Sequence, residues 1–380
     1  MAWGAAVLKG MHVTLLVGPA VPVPVPRPVM EALQSFQVTS SAGSRSGFQI
    51  TFAVENRSPL HTLLVLAGGQ VPWLRVLIVL TVNSLPSVLM DGLITKQEIG
   101  GSNEPGMSTL TITGEDLSVA MDQQEFNGLP YPAMPAEARV ALIVSKYAMF
   151  GMVPLVIPSV FSDVPIPVEK IPTHQGTDLA YVEKLAKDVG HVFYIVPGPA
   201  PGMNVAYWGP EMKIGLPQPA LNLGMDSHSN VESLSFSIDH AKKAMPIVFI
   251  QNALTKAPIP LPIPDISLLN PPLGLLQPLP KSINLMSDTA KMSPMEALSK
   301  GMAAAAGSAD VVTATGAVDV LRYGTVLKAR EMVGVRGAGM AFDGLYYVKT
   351  VSSSFKPGEF KQNFTLTRNG LISTLPLVPP

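Results

Sequence analysis

The stretch that decides the fold runs from Thr177 to Pro210 and reads TDLAYVEKLAKDVGHVFYIVPGPAPGMNVAYWGP. Thr177 or Asp178 can cap a helix, because a short side-chain oxygen there accepts an otherwise unpaired amide of the first turn. Four apolar residues then follow with the spacing of one helical face: Val182, Leu185, Ala186 and Val189. Gly190 is well placed to end this helix in a left-handed conformation.

Two β-prone runs follow the helix, His191 to Val196 and Met203 to Trp208, and a Pro/Gly-rich breaker separates them. The unit therefore predicts a helix packed on a hairpin. Successive strand residues face opposite sides of a sheet. Of Tyr207 and Trp208, one ring should enter the core formed with the helix, and the other should cover a domain or subunit boundary.

A helix of the form TDLxYxxxLAxxxG that leads into xVFYxxPG and AYWGP resembles the late control protein D family of contractile phage tails. It is also similar to the hub part of the valine-glycine repeat protein G spikes of type VI secretion. The phrases FDGLYYV and PGEFKQNFTLTRNGL near the C-terminus resemble the end of the same family. This family resemblance implies a baseplate hub with a structural role at the top of a puncturing spike.

The composition limits the classes of function. The chain has 380 residues, of which 47% are hydrophobic and 14% are charged, with 37 prolines, 32 glycines, no cysteine and a net charge of −1. These values predict two to three domains of short strands whose surface is partly covered by partners. The lack of a basic run argues against nucleic acid as a ligand. No apolar run is long enough for a membrane span, and the absence of cysteine fits assembly in a reducing bacterial cytoplasm.

The first 128 residues read as a series of β-prone runs and predict a closed antiparallel barrel, because closure removes exposed edges. The runs are Met11–Val17, Phe36–Thr39, Gly47–Val54, His61–Leu66, Arg75–Val82, Ser87–Glu98 and Met107–Gly114. The resemblance implies that this barrel is like the protein of the tail tube. Residues 129–225 then predict an inserted small α/β domain, with a helix after Pro135 and a proline-punctuated loop from Pro154 to Pro172.

The β pattern returns at residue 226. Val231–Ile238 alternates cleanly and Pro246–Gln251 is a further run, so 226–255 predicts the first part of a second barrel. Residues 256–309 are rich in Pro and Ala and predict an extended insertion that crosses a partner surface, with a flexible linker as the alternative. A helix there should begin at Ser293 and Pro294.

Residues 310–380 predict the rest of the second barrel. A strand pair is expected over Val326–Val335, and the glycine cluster Gly334–Gly339 is interpreted as a hairpin turn, since a nucleotide-binding loop would need a helix after it. Asp343 and Gly344 should form the turn that enters the next strand. Later strands are expected over Val348–Phe355 and Phe360–Arg368.

Residues that could carry chemistry form no recognisable site. The six histidines show no metal-ligand spacing, and Glu115 beside Asp116 is better explained as helix-dipole stabilisation than as an acid/base pair. Tyr207 and Trp208 could form a carbohydrate platform, but core or interface packing is the favoured interpretation. No catalytic, cofactor-binding or metal residue is therefore assigned. The structural or interface candidates are Tyr207, Trp208, Gly209, Pro210, Asp343 and Gly344.

The sequence thus predicts a mainly β (α+β) protein with two tube-like barrels and an inserted α/β domain. The resemblance implies a homotrimer whose six barrels form a pseudo-sixfold ring between a hexameric inner tube above and a separate trimeric spike protein below, among other baseplate proteins. Such a chain would be part of a phage tail-like particle, with no cofactor. The alternatives are a monomeric binding module and an enzyme of unknown substrate.

Overall fold

The computed structural model describes residues 7–8, 10–55, 73–101, 107–159, 164–168, 171–251, 257–263, 271–286 and 294–374. The run predicted over His61–Leu66 and the helix cap predicted at Ser293 lie outside these residues. Strands predominate, which confirms the mainly β fold class. No helix among the described residues has both the length and the apolar character that crossing a membrane requires.

The strands are β1 Val7–Leu8, β2 Met11–Gly18, β3 Val23–Pro24, β4 Leu33–Ser41, β5 Gly47–Glu55, β6 Arg75–Val82, β7 Leu85–Gly101, β8 Met107–Asp116, β9 Met152–Val156, β10 Val192–Pro197, β11 Asn204–Gly209, β12 Gln218–Asn222, β13 Val231–Ile238, β14 Ala244–Gln251, β15 Pro258–Pro262, β16 Gly274–Leu276, β17 Ser282–Met286, β18 Val312–Asp319, β19 Met332–Arg336, β20 Gly344–Lys356, β21 Glu359–Arg368 and β22 Leu371–Ser373. The helices are α1 Arg27–Glu31, α2 Ser118–Met121, α3 Ala136–Ser145, α4 Asp178–Asp188, α5 Pro294–Ala309 and α6 Val320–Tyr323.

One large sheet connects the two β-rich blocks. Its strand order is β1-β2-β6-β7-β8-β5-β4-β20-β21-β18-β13, with β3, β12 and β19 attached beside this path. The blocks meet where β4 pairs with β20, from Thr350 opposite Ser41 to Phe355 opposite Phe36. The ladders therefore run from one block into the other, and among the described residues no ladder closes either block by itself.

Each block nevertheless has its own apolar core. The first lies under β4, β5 and β6 and includes the fully buried Phe52 and Leu80. The second lies under β18, β20 and β21 and includes Tyr346 and Leu366. Both follow from the alternation of the strands, because every second side chain turns to the same face.

The inserted domain has the predicted helix and hairpin. Thr177 caps α4 by accepting a hydrogen bond from the Ala180 amide at 3.2 Å, and Gly190 ends the helix region with a φ of +71°. β10 pairs with β11 in an antiparallel hairpin. The predicted loop from Pro154 to Pro172 is wrong at its start, because β9 joins β11 as a parallel strand, with Leu155 opposite Tyr207.

A second three-stranded sheet lies between β13 and β18 in the chain, in the order β15-β14-β17, and α5 packs on one side of it. The expectation that 256–309 is an extended or linker-like insertion is wrong for its described parts, because β15 and β17 pair with β14, β16 pairs with β22, and α5 packs on the small sheet. The prediction that places β14 in the second β-rich block is also wrong, because the ladder partners of β14 are β15 and β17 of the insertion.

Two further boundaries differ from the sequence prediction. β12 was assigned to the inserted domain but pairs with β19 in the large sheet. The strand pair expected over Val326–Val335 is a single strand, β19, preceded by a loop. Two features keep this segment out of a ladder. The Leu327 amide donates to the Gln362 side chain at 2.8 Å, and Arg330 has a φ of +68°, which is not a strand conformation. The glycine turn between β19 and β20 is confirmed as a hairpin turn.

Candidate assembly surfaces

The two aromatic candidate residues of the hairpin lie on opposite faces of its sheet, and both are buried. Trp208 is fully buried and packs in the core of the inserted domain with Val182 and Leu185. Tyr207 faces the other side, stacks on Tyr194 with ring centroids 4.8 Å apart, and donates its hydroxyl hydrogen to the Pro210 carbonyl at 2.6 Å. Gly209 is required here, because an added Cβ would lie 2.7 Å from the Tyr207 hydroxyl oxygen.

Asp343 and Gly344 lie elsewhere, at a corner built around the buried Arg368. The Arg368 guanidinium donates to the Asp343 carbonyl at 3.0 Å and stacks over Tyr346 at 4.5 Å. Gly344 has a φ of +141°, and a Cβ there would lie 2.6 Å from an Arg368 nitrogen. The Asp343 carboxylate accepts a hydrogen bond from the Ala338 amide at 2.8 Å. These two residues shape the second core and are not brought together with the hairpin.

A buried ion pair joins the inserted domain to the large sheet. Arg75 donates to both Asp91 carboxylate oxygens at 2.6 Å, and Asn204 of the hairpin donates to the same carboxylate at 2.7 Å. Arg75 also donates to the carbonyls of Ala20 and Gly202 at 2.9 and 3.0 Å. The sequence motifs above do not predict this junction. A single arginine in an otherwise apolar strand is the signal that could have revealed it.

A second arginine joins the same two bodies without a carboxylate. Arg330 stacks over Tyr194 of β10 at 4.3 Å and donates to the Ser41 carbonyl of β4. Burial lowers the pKa of the Arg330 guanidinium. Its Nε has no hydrogen-bond partner among the described residues. This contact places Tyr194, and the Tyr207 ring stacked on it, at the boundary between the hairpin and the large sheet.

A group of titratable side chains in the inserted domain has the composition of a catalytic site but not its access. His174 and Asp178 are fully buried, with 3.5 Å between His174 Nε2 and the carboxylate. Lys146 and Tyr147 donate to Asp178 at 3.1 and 2.9 Å. Burial lowers the pKa of His174 in spite of the nearby carboxylate, and it raises that of Tyr147. The group fastens α3 to α4 and contains no cysteine or serine that could act as a nucleophile.

The outer face of the large sheet carries an unusual set of side chains, which we call the hydroxyl face. Its strands run from β13 through β18, β21, β20, β4, β5 and β8, and their outward residues are almost all Ser, Thr, Asn or Gln. Its members are Ser233, Ser235, Ser237, Thr313, Thr315, Asn363, Thr365, Thr350, Ser352, Ser354, Gln37, Thr39, Ser41, Gln49, Thr51, Thr109, Thr111 and Thr113.

The hydroxyl face is held by cross-strand hydrogen bonds and has charge only at its margins. Ser235 and Thr315 share a hydrogen bond of 2.9 Å, and Gln37 donates to Ser352 at 2.9 Å. One margin carries Lys361, paired with Glu232 and Glu359, and the other carries Lys96 and Glu98 of β7. The centre thus has neither the apolar anchors of a protein interface nor the cations that bind phosphates. It is suited to face water.

The hydroxyl face ends at two strand edges that have no ladder partner among the described residues. One is the outer edge of β13, and the other is the part of β7 at Glu98 and Ile99, where β8 is the ladder neighbour. Both edges leave core-side apolar residues incompletely covered: Ile99 on β7 is 50% exposed, and Leu234 and Phe236 on β13 are half-buried. Unpaired edges of this kind are sites for pairing with another chain.

Two cavities lie where the large sheet meets the inserted domain, with volumes of about 320 and 400 Å³. The larger contains Glu183 and Glu211, and burial raises the pKa of both carboxyls. The buried His174 group lines neither of them. Within the described ranges, no three His, Asp or Glu side chains come together as a metal site.

The fold matches solved structures of tail proteins. A tail protein of Neisseria meningitidis aligns with a TM-score of 0.63 at 15% identity, over 96% of this chain and 98% of that one. The 43 kDa tail protein of prophage MuSo2 from Shewanella oneidensis aligns with a TM-score of 0.61 at 14% identity, over 94% and 98%. A type VI secretion component of E. coli gives 0.54 at 11% identity, over 92% and 77%. No family model and no curated protein matches the sequence. The chain therefore shares its fold with phage tail and type VI secretion proteins.

Proposed function

We propose that the chain is a structural baseplate protein of a contractile phage tail or a related injection apparatus, assembled in the bacterial cytoplasm. Within that role it is the hub that joins a hexameric inner tube to a trimeric spike. The fold shared with tail proteins over nearly the whole chain supports the coarser role. The hydroxyl face and its two unpaired edges carry the finer one.

The two edges of the hydroxyl face suggest how copies would associate. β13 and the end of β7 are different strands, so a contact between them is head-to-tail and closes into a ring if the rotation allows. Pairing would cover the half-exposed Ile99 and bury Leu234 and Phe236 further. With two β-rich blocks in each chain, three copies would give six similar units around the ring, which is the geometry needed between a hexamer and a trimer.

The uncharged face would then line the interior of such a ring. A wall of hydroxyls and amides presents water with hydrogen-bonding groups at every position but offers a passing chain no charge and no large apolar side chain. An opening that must let cargo pass requires weak binding of this kind. Lys96 and Glu98 lie on β7 and Glu232 lies on β13, so these charges can pair between copies at the two edges.

Engineered cysteines test the ring, and the native chain contributes no background because it has no cysteine. Ser235→Cys on β13 is combined with Lys96→Cys, Glu98→Cys or Gly100→Cys on β7, since the register between copies is unknown. Oxidation should give a covalent ladder that ends at trimer, and light scattering should report a threefold mass. Ser235→Cys with Met340→Cys, a 79% exposed site away from both edges, is the matched control.

Two results would refute the ring. One is a persistent monomer in light scattering, and the other is crosslinking no better than that of the control pair. A monomer would favour a binding module. The enzyme alternative has less support, because the buried His174 group lines neither cavity.

A further inference from the structure

The small sheet β15-β14-β17 has two edges of opposite character. In β15 the prolines Pro258, Pro260 and Pro262 alternate with Ile259 and Leu261. The Ile263 amide donates to the Pro246 carbonyl of β14, so the odd-numbered residues of β15 point to the ladder and the prolines point away from it. This edge therefore offers no N–H group to another strand, which is a known way to block edge pairing.

The opposite edge, β17, has no such protection. The Pro246 carbonyl faces β15, so the odd-numbered residues of β14 face β17; in a parallel ladder Met245 and Ile247 then bond to the residues on either side of their register partners, Ile283 and Leu285. Ser282 and Asn284 therefore carry the ladder, and the main chain of Ile283 and Leu285 points outward. β17 contains no proline and no charge. Among the described residues β14 is its only ladder neighbour. One edge is blocked at every outward position, while the other is left open.

The side chains beside the open edge are apolar and exposed. Ile283 and Leu285 are 65% and 61% exposed, and they lie opposite Met245 and Ile247 of β14 on the side of the sheet that α5 does not cover. An added strand would bring its own side chains beside them. Main-chain hydrogen bonds would provide affinity, and alternate side chains would provide selectivity.

The start of the edge is positively charged. Lys242 and Lys243 directly precede β14, and Lys281 directly precedes β17, which runs parallel to it. Lys243 is buried and donates to Gln277 at 3.0 Å. No carboxylate of the described residues lies within ion-pair distance of Lys242 or Lys281. A segment with an acidic residue at this end would complement these lysines.

We propose that β17 accepts a strand from a different protein: an extended segment of alternating apolar residues with an acidic residue at the end that meets Lys281. A second copy of this chain fits less well. β17 itself has no acidic residue, so self-pairing would leave the lysines unmatched. This site is distinct from the edges of the hydroxyl face and does not depend on ring formation.

A displayed library of random peptides of about 12 residues, sorted against the full chain, tests the inference. Enriched peptides should alternate apolar residues and carry Asp or Glu at one end. Ile283→Pro removes an outward N–H while keeping the ladder to β14, and it should weaken binding of the enriched peptides at least about tenfold. Pro260→Ala, on the blocked edge, is the matched control and should leave binding unchanged. Lys281→Glu should reverse the preference for an acidic end.

Three outcomes would overturn the proposal. The first is a sort in which no peptide is enriched over the Ile283→Pro chain. The second is an enriched set without acidic ends or without response to Lys281→Glu. The third is self-association that sedimentation shows to be abolished by Ile283→Pro, which would make a second copy the occupant. Hydrogen exchange in β14 confirms that the variant sheet is folded, so a loss of binding can be assigned to the edge.

Discussion

Two sheets of three strands, each backed by helices on one face, show how differently similar architectures can be stabilised. The sheet of the inserted domain, β10-β11-β9, packs on α3 and α4 around the fully buried Trp208, Val140 and Ile143. Among the described residues, the sheet β15-β14-β17 packs on the single helix α5 around the buried Val248, Ile263 and Ala305. Both sheets have three strands, but the first sheet buries much more apolar side-chain volume than the second. This buried volume determines the stability of each sheet.

The largest expected effect is in the first sheet. Trp208→Ala removes the largest fully buried side chain, and truncations of this kind cost about 3–5 kcal/mol. Because whole domains are stable by about 5–15 kcal/mol, the variant should be poorly soluble or have a much lower unfolding midpoint. Chemical denaturation measures the loss. Trp208→Phe, which keeps an aromatic ring, should retain most of the stability, and a Trp208→Ala chain with an unchanged midpoint would show that the hairpin is not an organising core.

The second effect concerns the attachment of that sheet. Arg75→Met leaves the Asp91 carboxylate buried without its bidentate partner, and breaking a buried ion pair costs about 3–5 kcal/mol. We expect the lower end, about 3 kcal/mol, because Asn204 still donates to Asp91. The double variant Arg75→Met, Asp91→Leu should recover part of the loss in the same denaturation experiment. An equal or greater loss in the double variant would mean that the ion pair stabilises the fold by more than the cost of desolvating its two charges.

The comparison also shows where sequence reasoning succeeds. The helix and hairpin from Thr177 to Pro210 were predictable because a cap, a 3.6-residue period and a Pro/Gly turn all agree locally. β9 was not, since Pro154 and the prolines after it look like loop. Its strand conformation depends on pairing with β11, more than 40 residues away. Non-local pairing also explains why β14 and β12 were assigned to the wrong bodies.

The candidate surfaces were harder to predict than the elements. The hydroxyl face arises from outward residues of strands that are far apart in sequence, such as Thr39 and Ser352, and only the ladder order brings them together. The pattern within one strand, for example STLTITGED, shows alternation but not what its neighbours present. Arg75 was visible as a charge in an apolar run. Its partners Asp91 and Asn204 were not.

A smaller effect is expected in the second sheet. Val248→Ala removes two carbons from a side chain with 0% exposure, which costs about 2 kcal/mol. Because the core there is small, this loss should open the sheet locally instead of unfolding the chain. Hydrogen exchange should therefore rise in β14, β15 and β17 and stay unchanged in β10 and β11. Val205→Ala in β11, a half-buried valine of the first sheet, is the control. Equal exchange in both sheets would mean that they unfold together.

The smallest effect is a pH dependence confined to the first sheet. The His191 ring packs edge-on to Trp208 with centroids 4.5 Å apart, and burial lowers its pKa to about 4. The unfolded chain, with an ordinary histidine pKa near 6.5, binds the proton more readily between these two values. The stabilisation from neutral His191 is therefore complete above about pH 6.5 and is lost as the pH falls toward 4. We expect about 1 kcal/mol, because the ring is partly exposed and can reach solvent. Glu183 acts in the opposite direction, since its raised carboxyl pKa favours the folded state on acidification.

The experiment therefore compares the native chain with the His191→Gln variant by denaturation at pH 7 and pH 4.5. The native chain should lose more stability than the variant, and most of that loss should appear in β10 and β11 by hydrogen exchange. The described core of the second sheet is formed by Val248, Ile263 and Ala305, which do not titrate, so acid should narrow the difference between the two sheets. Equal losses in the native chain and in His191→Gln would show that this histidine titrates as freely in the folded protein as in the unfolded chain.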